Sequence, residues 1–183
     1  MLKRVELELH GKKPDEIDEL NLDNCKSTAI EGITDEFVNL KRLSIINAGL
    51  QSLKGFPKLP NLERLDLSDN RISGGLEHLQ NAEKLARLKL SGNKICSLDC
   101  IEALKQLKNL QSLDLFNCEI TKAEDYRSKV FEILPSLVYL DETDKMNRSC
   151  ATDEDESDDE EENGEESNAK PTGFLLFSDV YCL

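Results

Sequence analysis

The chain has 183 residues, enough for one good core, with 37 Asp+Glu against 23 Lys+Arg. The charge is unevenly spread: residues 1–152 carry 25 acids against 22 bases, and residues 153–183 carry 12 against the single Lys170. That split predicts a near-neutral folded body with a disordered acidic arm, and it argues against a direct nucleic-acid partner, because like charges repel.

The opening Met1–Glu6 is charged and has no apolar leader run, and no stretch reaches the roughly 18 apolar residues of a membrane span. A soluble intracellular protein, nuclear or cytosolic, is the expectation, with no membrane partner. Its six cysteines (Cys25, Cys96, Cys100, Cys118, Cys150 and Cys182) are then expected as reduced thiols.

In chain order, Leu2, Val5 and Leu9 follow helical spacing and predict an amphipathic helix from about Lys3 to His10, ended by Gly11. Pro14 suits the first turn of a short second helix. Five copies of the spacing L-x-x-L-x-L-x-x-(N/C) then begin at Ile17, Leu40, Leu62, Leu85 and Leu110, in steps of 23, 22, 23 and 25 residues. Apolar and polar residues alternate at their centres (Leu65-Asp66-Leu67, Leu88-Lys89-Leu90), the period of a strand with one buried face. Pro57 and Pro60 fall in an irregular convex connection, clear of the ladder.

The small residue closing each copy is Cys25, Ala48, Asn70, Asn93 or Cys118. An Asn there satisfies backbone groups between coils; Ala48 cannot, so the second coil is expected to be the loosest joint. Tyr126, Val130, Phe131 and Leu134 have helical spacing, and a capping strand follows near Leu137, Tyr139 and Leu140. A fixed period of this length is the mark of a leucine-rich-repeat solenoid. The fold class expected is α/β: a parallel concave sheet with an N-terminal helical cap and a C-terminal repeat cap. The predicted domain is 1–148, with a disordered tail at 149–183.

That tail holds an acidic run at 153–166 and an apolar end at 174–183. The run is Asp153, Glu154, Asp155, Glu156, Asp158, Asp159, Glu160, Glu161, Glu162, Glu165 and Glu166. Packed acids remain solvated and attract basic chains by fast, multivalent, salt-sensitive contacts. Ser157 and Thr152, each followed by acids, suit an acidophilic kinase.

The stretches Leu20–Cys25, Leu67–Leu76, Leu90–Ile95, Ser112–Glu119, Asp125-Tyr126-Arg127 and Leu140-Asp141, with the acidic run, resemble the acidic leucine-rich nuclear phosphoprotein family over about residues 1–166. The resemblance implies histone binding as a chaperone, masking of histone tails, inhibition of protein phosphatase 2A, and shuttling between nucleus and cytoplasm. Family members usually have a longer acidic region closed by a basic cluster, and this chain has neither. A general repeat scaffold remains the third reading, and a monomer is expected.

In the family register the outward residues are Glu19, Asn21 and Asp23; Arg42, Ser44 and Ile46; Arg64, Asp66 and Ser68; Arg87, Lys89 and Ser91; and Ser112, Asp114 and Phe116. Arg42, Arg64 and Arg87 should stack as one column with Asp66 as the only acid on the middle strands, a column suited to an acidic segment, either the arm folded back or an acidic patch on a partner. Ile46 and Phe116 are either contact anchors or ordinary surface hydrophobes. No catalytic motif is present, and neither His10 nor His78 has a second ligand at metal spacing. The expectation is a binding protein without catalytic residues, cofactor or metal.

Overall fold

A computed structural model describes residues 1–149. Its repeats and caps form one compact unit. The order is α1 (Leu2–Leu9), β1 (Glu19–Asn21), β2 (Arg42–Ser44), β3 (Arg64–Asp66), β4 (Arg87–Lys89), α2 (Leu98–Glu102), β5 (Ser112–Asp114), α3 (Tyr126–Ile133), β6 (Tyr139–Leu140) and β7 (Thr143–Asp144). The strands form one sheet in sequence order, parallel from β1 to β6 and antiparallel at β7.

Register follows from the repeat. Leu20, Leu43, Leu65, Leu88, Leu113 and Leu140 are Cα partners in turn, and none is more than 2% exposed. Because side chains alternate across a strand, burying this row puts both neighbours of each leucine on the outer face. Leu22, Ile45, Leu67, Leu90 and Leu115 form a second inward row, and Ile17, Leu40, Leu62, Leu85, Leu110 and Leu137 a third. The convex connections fill the other side with Phe37, Leu53, Phe56, Leu79, Leu104 and their neighbours. Burying a leucine fully contributes about 1.5–3 kcal/mol, so the stacked rows are the main driving force for the fold.

Buried asparagines close the joints. Asn70 Oδ1 accepts from Ala48 N (3.1 Å), Gly49 N (2.9 Å) and Leu50 N (2.9 Å), while its Nδ2 donates to Ile45 O, Leu67 O and Ser68 O. Asn93 repeats the pattern one coil on, taking Ile72 N and donating to Leu67 O, Leu90 O and Ser91 O. Cys118 does part of this work, its thiol directed at Leu90 O (3.3 Å). Each such side chain serves the coil before it. Ala48 therefore leaves the joint to coil one without a carboxamide, whereas the amides of coil two are met by Asn70. At that first joint Asp23 Oδ1 takes Ile46 N (2.8 Å), and Asn47 Nδ2 donates to Asn24 Oδ1 (2.8 Å). On the opposite edge Asn39, Asn61 and Asn109 donate to Asp15 O, Val38 O and Glu83 O, each at 2.8 Å. Among the described residues no buried side-chain nitrogen or oxygen lacks a partner.

Helix α1 differs from its expected span by one residue at each end. His10 takes the left-handed cap (φ 45°), with Gly11 also at positive φ. Val5 is buried but Leu2 is 54% exposed, so the helix packs through a narrower stripe than its spacing implied. Gly32 allows the approach: a Cβ there would lie 3.1 Å from Leu2 Cα, and its φ of +87° also favours glycine.

At the other end α3 buries Tyr126, Val130 and, just beyond it, Leu134. Burial pushes the Tyr126 hydroxyl well above its ordinary titration range, and the Asp141 carboxylate adds to the rise. The capping strand is half of a hairpin that the sequence reading does not contain. Asp141 (φ 49°) and Glu142 (φ 62°) form its turn, the left-handed geometry of a tight two-residue hairpin. Arg127 ties α3 to that hairpin, donating to Leu140 O (2.9 Å) and Asp144 O (3.0 Å). Among the described residues no helix is long and apolar enough to cross a membrane, and Cys25, Cys96, Cys100 and Cys118 are free.

Candidate functional site

The outer face of the sheet has three rows, fixed by register. The first is Glu19, Arg42, Arg64, Arg87 and Ser112. The second is Asn21, Ser44, Asp66, Lys89 and Asp114. Asp23, Ile46, Ser68, Ser91 and Phe116 follow the strands and make the third.

The arginine column is present, but Asp66 does not serve it. Asp66 Oδ1 accepts from its own neighbour two residues on, Ser68 N (2.9 Å) and Ser68 Oγ (2.6 Å). An Asx-type turn of this kind forms locally and needs no register, so it captures the carboxylate first. Among the described residues, Glu19 meets the column, its Oε2 lying 3.0 Å from Arg42 Nη2. Arg64 and Arg87 are each engaged in an interaction as well. Both lie beside a shallow depression, with Glu63, Lys84, Ala86, Asn109 and Gln111 completing its lining.

The third row is mostly committed to structure. Asp23 Oδ1 accepts from Ser44 Oγ (2.6 Å) and Ile46 N, and Asn21 Oδ1 from Asp23 N (3.0 Å). Ser91 Oγ donates to Ser68 Oγ (2.9 Å) in a hydroxyl ladder. The two apolar candidates separate here. Ile46 is half-buried, whereas Phe116 is 70% exposed.

Around Phe116 the structure gathers groups that sequence reasoning left apart. Ser91, Asp114, Phe116, Asp141 and Glu142 line one notch of about 210 Å³. Asp114 Oδ1 accepts from Phe116 N (2.9 Å), which fixes the base of the ring. Asp141 Oδ1 accepts from Leu115 N (2.8 Å), binding the hairpin turn to β5. Burial holds the Asp114 carboxyl above the usual aspartate range, and the Asp141 and Glu142 charges push it the same way. Three carboxylates beside an exposed aromatic ring have the chemistry to accept a lysine or arginine side chain. A cation over such a ring gains about 0.5–2 kcal/mol, more as water is excluded.

Asp141 and Glu142 are the functional candidates that the sequence reading missed. Leu140-Asp141 carries part of the family resemblance, but only the hairpin brings Asp141 and Glu142 over β5. Among the described residues no group of three His, Cys, Asp or Glu could hold a metal ion. The acidic run 153–166, the apolar end 174–183, Thr152 and Ser157 lie outside the described residues.

Comparison with known proteins agrees with this architecture. The family profile described as "Leucine-rich repeat" matches residues 2–165. "Acidic leucine-rich nuclear phosphoprotein 32 family member A" of Drosophila melanogaster is 53% identical over 156 residues, 85% of this chain and 60% of the relative. The protein of the same name from Drosophila pseudoobscura pseudoobscura is 52% identical, over 85% and 59%. The chain thus spans about three-fifths of the length of these relatives.

Among solved structures, the Drosophila melanogaster SNF/U2A' complex contains a chain matching with a TM-score of 0.64 at 27% identity, over 73% of this chain and 74% of that one. An internalin of Listeria monocytogenes (TM-score 0.54, 16% identity, 76% of this chain and 54% of that one) shares the fold alone. With the repeat register, both caps and these matches in hand, the chain belongs to the leucine-rich-repeat proteins and, within them, to the acidic leucine-rich nuclear phosphoprotein family.

Proposed function

We propose that this chain is a non-enzymatic binding protein that captures basic protein segments, histones first among them, through the concave face of residues 1–148 and the acidic run at 153–166. The observation that carries the reading is the notch: a phenylalanine 70% exposed beside Asp114, Asp141 and Glu142. An exposed aromatic ring flanked by fixed carboxylates costs solvation and self-repulsion, and a lysine or arginine side chain relieves both. The notch supplies orientation, because its Asp114 and Asp141 carboxylates are held by backbone N–H groups. The acidic run supplies encounter rate and loose multivalent affinity, with attraction that weakens as salt rises. The relatives' names call those proteins nuclear phosphoproteins, and we carry a nuclear location to this chain on that basis. Thr152 and Ser157 are the phosphorylation sites proposed, where a phosphate would deepen the negative potential.

The test is binding of the full chain to purified core histones across a salt series, beside a phosphatase 2A assay. Loss of affinity in Phe116→Ser and on removal of residues 152–183, with steep salt dependence, supports the reading. Binding that ignores salt, Phe116 and the acidic run would leave a general repeat scaffold. Dose-dependent phosphatase inhibition without histone binding would replace it by the regulatory reading.

A further inference from the structure

We propose that the opposite end of the concave face, the rail of arginines on β2, β3 and β4, is a docking site for a carboxylate-rich segment of a partner protein. Parallel register makes Arg42, Arg64 and Arg87 successive Cα partners. Neighbouring strands lie about 4.8 Å apart, and like charges directly opposite one another across strands are destabilising. Glu19 offsets this at the Arg42 end. At the other end Lys84 joins Arg64 and Arg87 around the depression, and Glu63 is the one acid among its described lining residues.

The walls of this depression are built rather than loose. Lys84 Nζ donates to Asn61 Oδ1 at 2.7 Å, and Asn109 Nδ2 to Glu83 O at 2.8 Å, so both side chains are held across adjacent coils. An ammonium carries three donors, and this bond uses one of those on Lys84. Arg64 and Arg87 already take part in interactions, so an incoming carboxylate joins or exchanges with these partners. Guanidinium groups match carboxylates through paired, parallel hydrogen bonds, the strongest neutral-pH recognition available to an acidic side chain.

Charge and surface composition select the occupant. Among the described residues no aromatic side chain lines the depression to stack a base. A short acidic peptide brings planar carboxylates whose two oxygens match the guanidinium fork. The rail shares no residue with the notch, so it stands or falls independently of the histone reading. Together they give the face one cationic and one anionic end.

The probe is a fluorescein-labelled deca-glutamate peptide, measured by anisotropy against the full chain at several salt concentrations. The double variant Arg64→Gln/Arg87→Gln should bind about tenfold more weakly or worse, with a shallower salt dependence. Lys94→Gln, an exposed lysine on another surface, should leave binding unchanged. No measurable binding by the unaltered chain at low salt overturns the proposal, as does undiminished binding by a folded double variant. Where the double variant melts early, Lys84→Glu at the outer wall decides: a loss of about fivefold or more supports the site, and no loss overturns it. Tighter binding of a single-stranded RNA of equal charge also overturns the assignment to an acidic protein segment.

Discussion

Strands β2 to β4 carry Arg42, Arg64 and Arg87 along one outer row, whereas β5 and the turn after β6 bring Asp114, Asp141 and Glu142 around Phe116. Beneath both ends run the same buried leucines, at most 2% exposed along the central row. The difference shows how a solenoid separates its tasks. Inward positions answer to packing and cannot vary without opening a cavity, while outward positions answer to solvent and can change sign from one coil to the next. The two ends also differ in construction. The cationic rail is made by strands alone, but the anionic notch needs the C-terminal hairpin to fold back over β5.

The contrast can be broken at its base. Asn70→Ala leaves several buried backbone groups of coils two and three without a partner, a loss of about 3 kcal/mol or more. Denaturant unfolding should show it, and hydrogen exchange should place the loosening under the rail and spare the notch. Uniform loosening along the whole sheet would mean that the two ends are not separable.

Next in size is Asp141→Ala, which removes the acceptor for Leu115 N and should cost about 2 kcal/mol. It should abolish lysine-peptide binding at the notch while leaving deca-glutamate binding at the rail intact. Phe116→Ser tests the notch without touching the scaffold: peptide affinity should fall about three- to tenfold, with stability within about 0.5 kcal/mol of the parent.

The raised titration of Asp114 gives a pH test. A carboxyl that holds its proton more tightly when folded loses stabilisation as pH rises from the ordinary aspartate range through its raised value. Asp114→Asn should therefore be the more stable protein at neutral pH, and that advantage should shrink in acid, where the parent is protonated too. Peptide binding by the parent should weaken over the same acidic interval, since protonation removes one of the notch charges. A parent and variant with identical stability-against-pH curves would show that burial and the neighbouring acids do not strain this site.

The smallest effect is expected at the exposed Arg42–Glu19 pair, whose side chains are 52% and 59% accessible. Arg42→Gln should change stability by less than about 1 kcal/mol, less still at high salt, while lowering deca-glutamate affinity modestly. A large stability loss would mean that the rail is structural rather than recognitive.

Much of this was legible in the chain before any coordinates, because a leucine repeat dictates its own register. Once Leu65 and Leu88 face inward, Arg64, Asp66, Arg87 and Lys89 must face outward. The failures have physical causes. Asp66 is offered to the arginines as the only acid on the middle strands, yet its carboxylate accepts from Ser68, two residues away and independent of register. Strand β7, two residues long, is too short to carry an alternation signal. The clamps from Asn39, Asn61 and Asn109 run to the previous coil, so no window of consecutive residues contains both partners.

By itself the amino-acid order determined the stacked-coil architecture, the three outward rows and the segregation of negative charge beyond residue 152, since each depends only on spacing and composition. Which outward groups meet was left to tertiary structure. Phe116 acquires Asp141 and Glu142 as neighbours only when the hairpin closes on β5, and Arg42 acquires Glu19 only when adjacent coils align. Contacts of that kind depend on the distance between segments 23 or 26 residues apart, and local chemistry does not encode that distance.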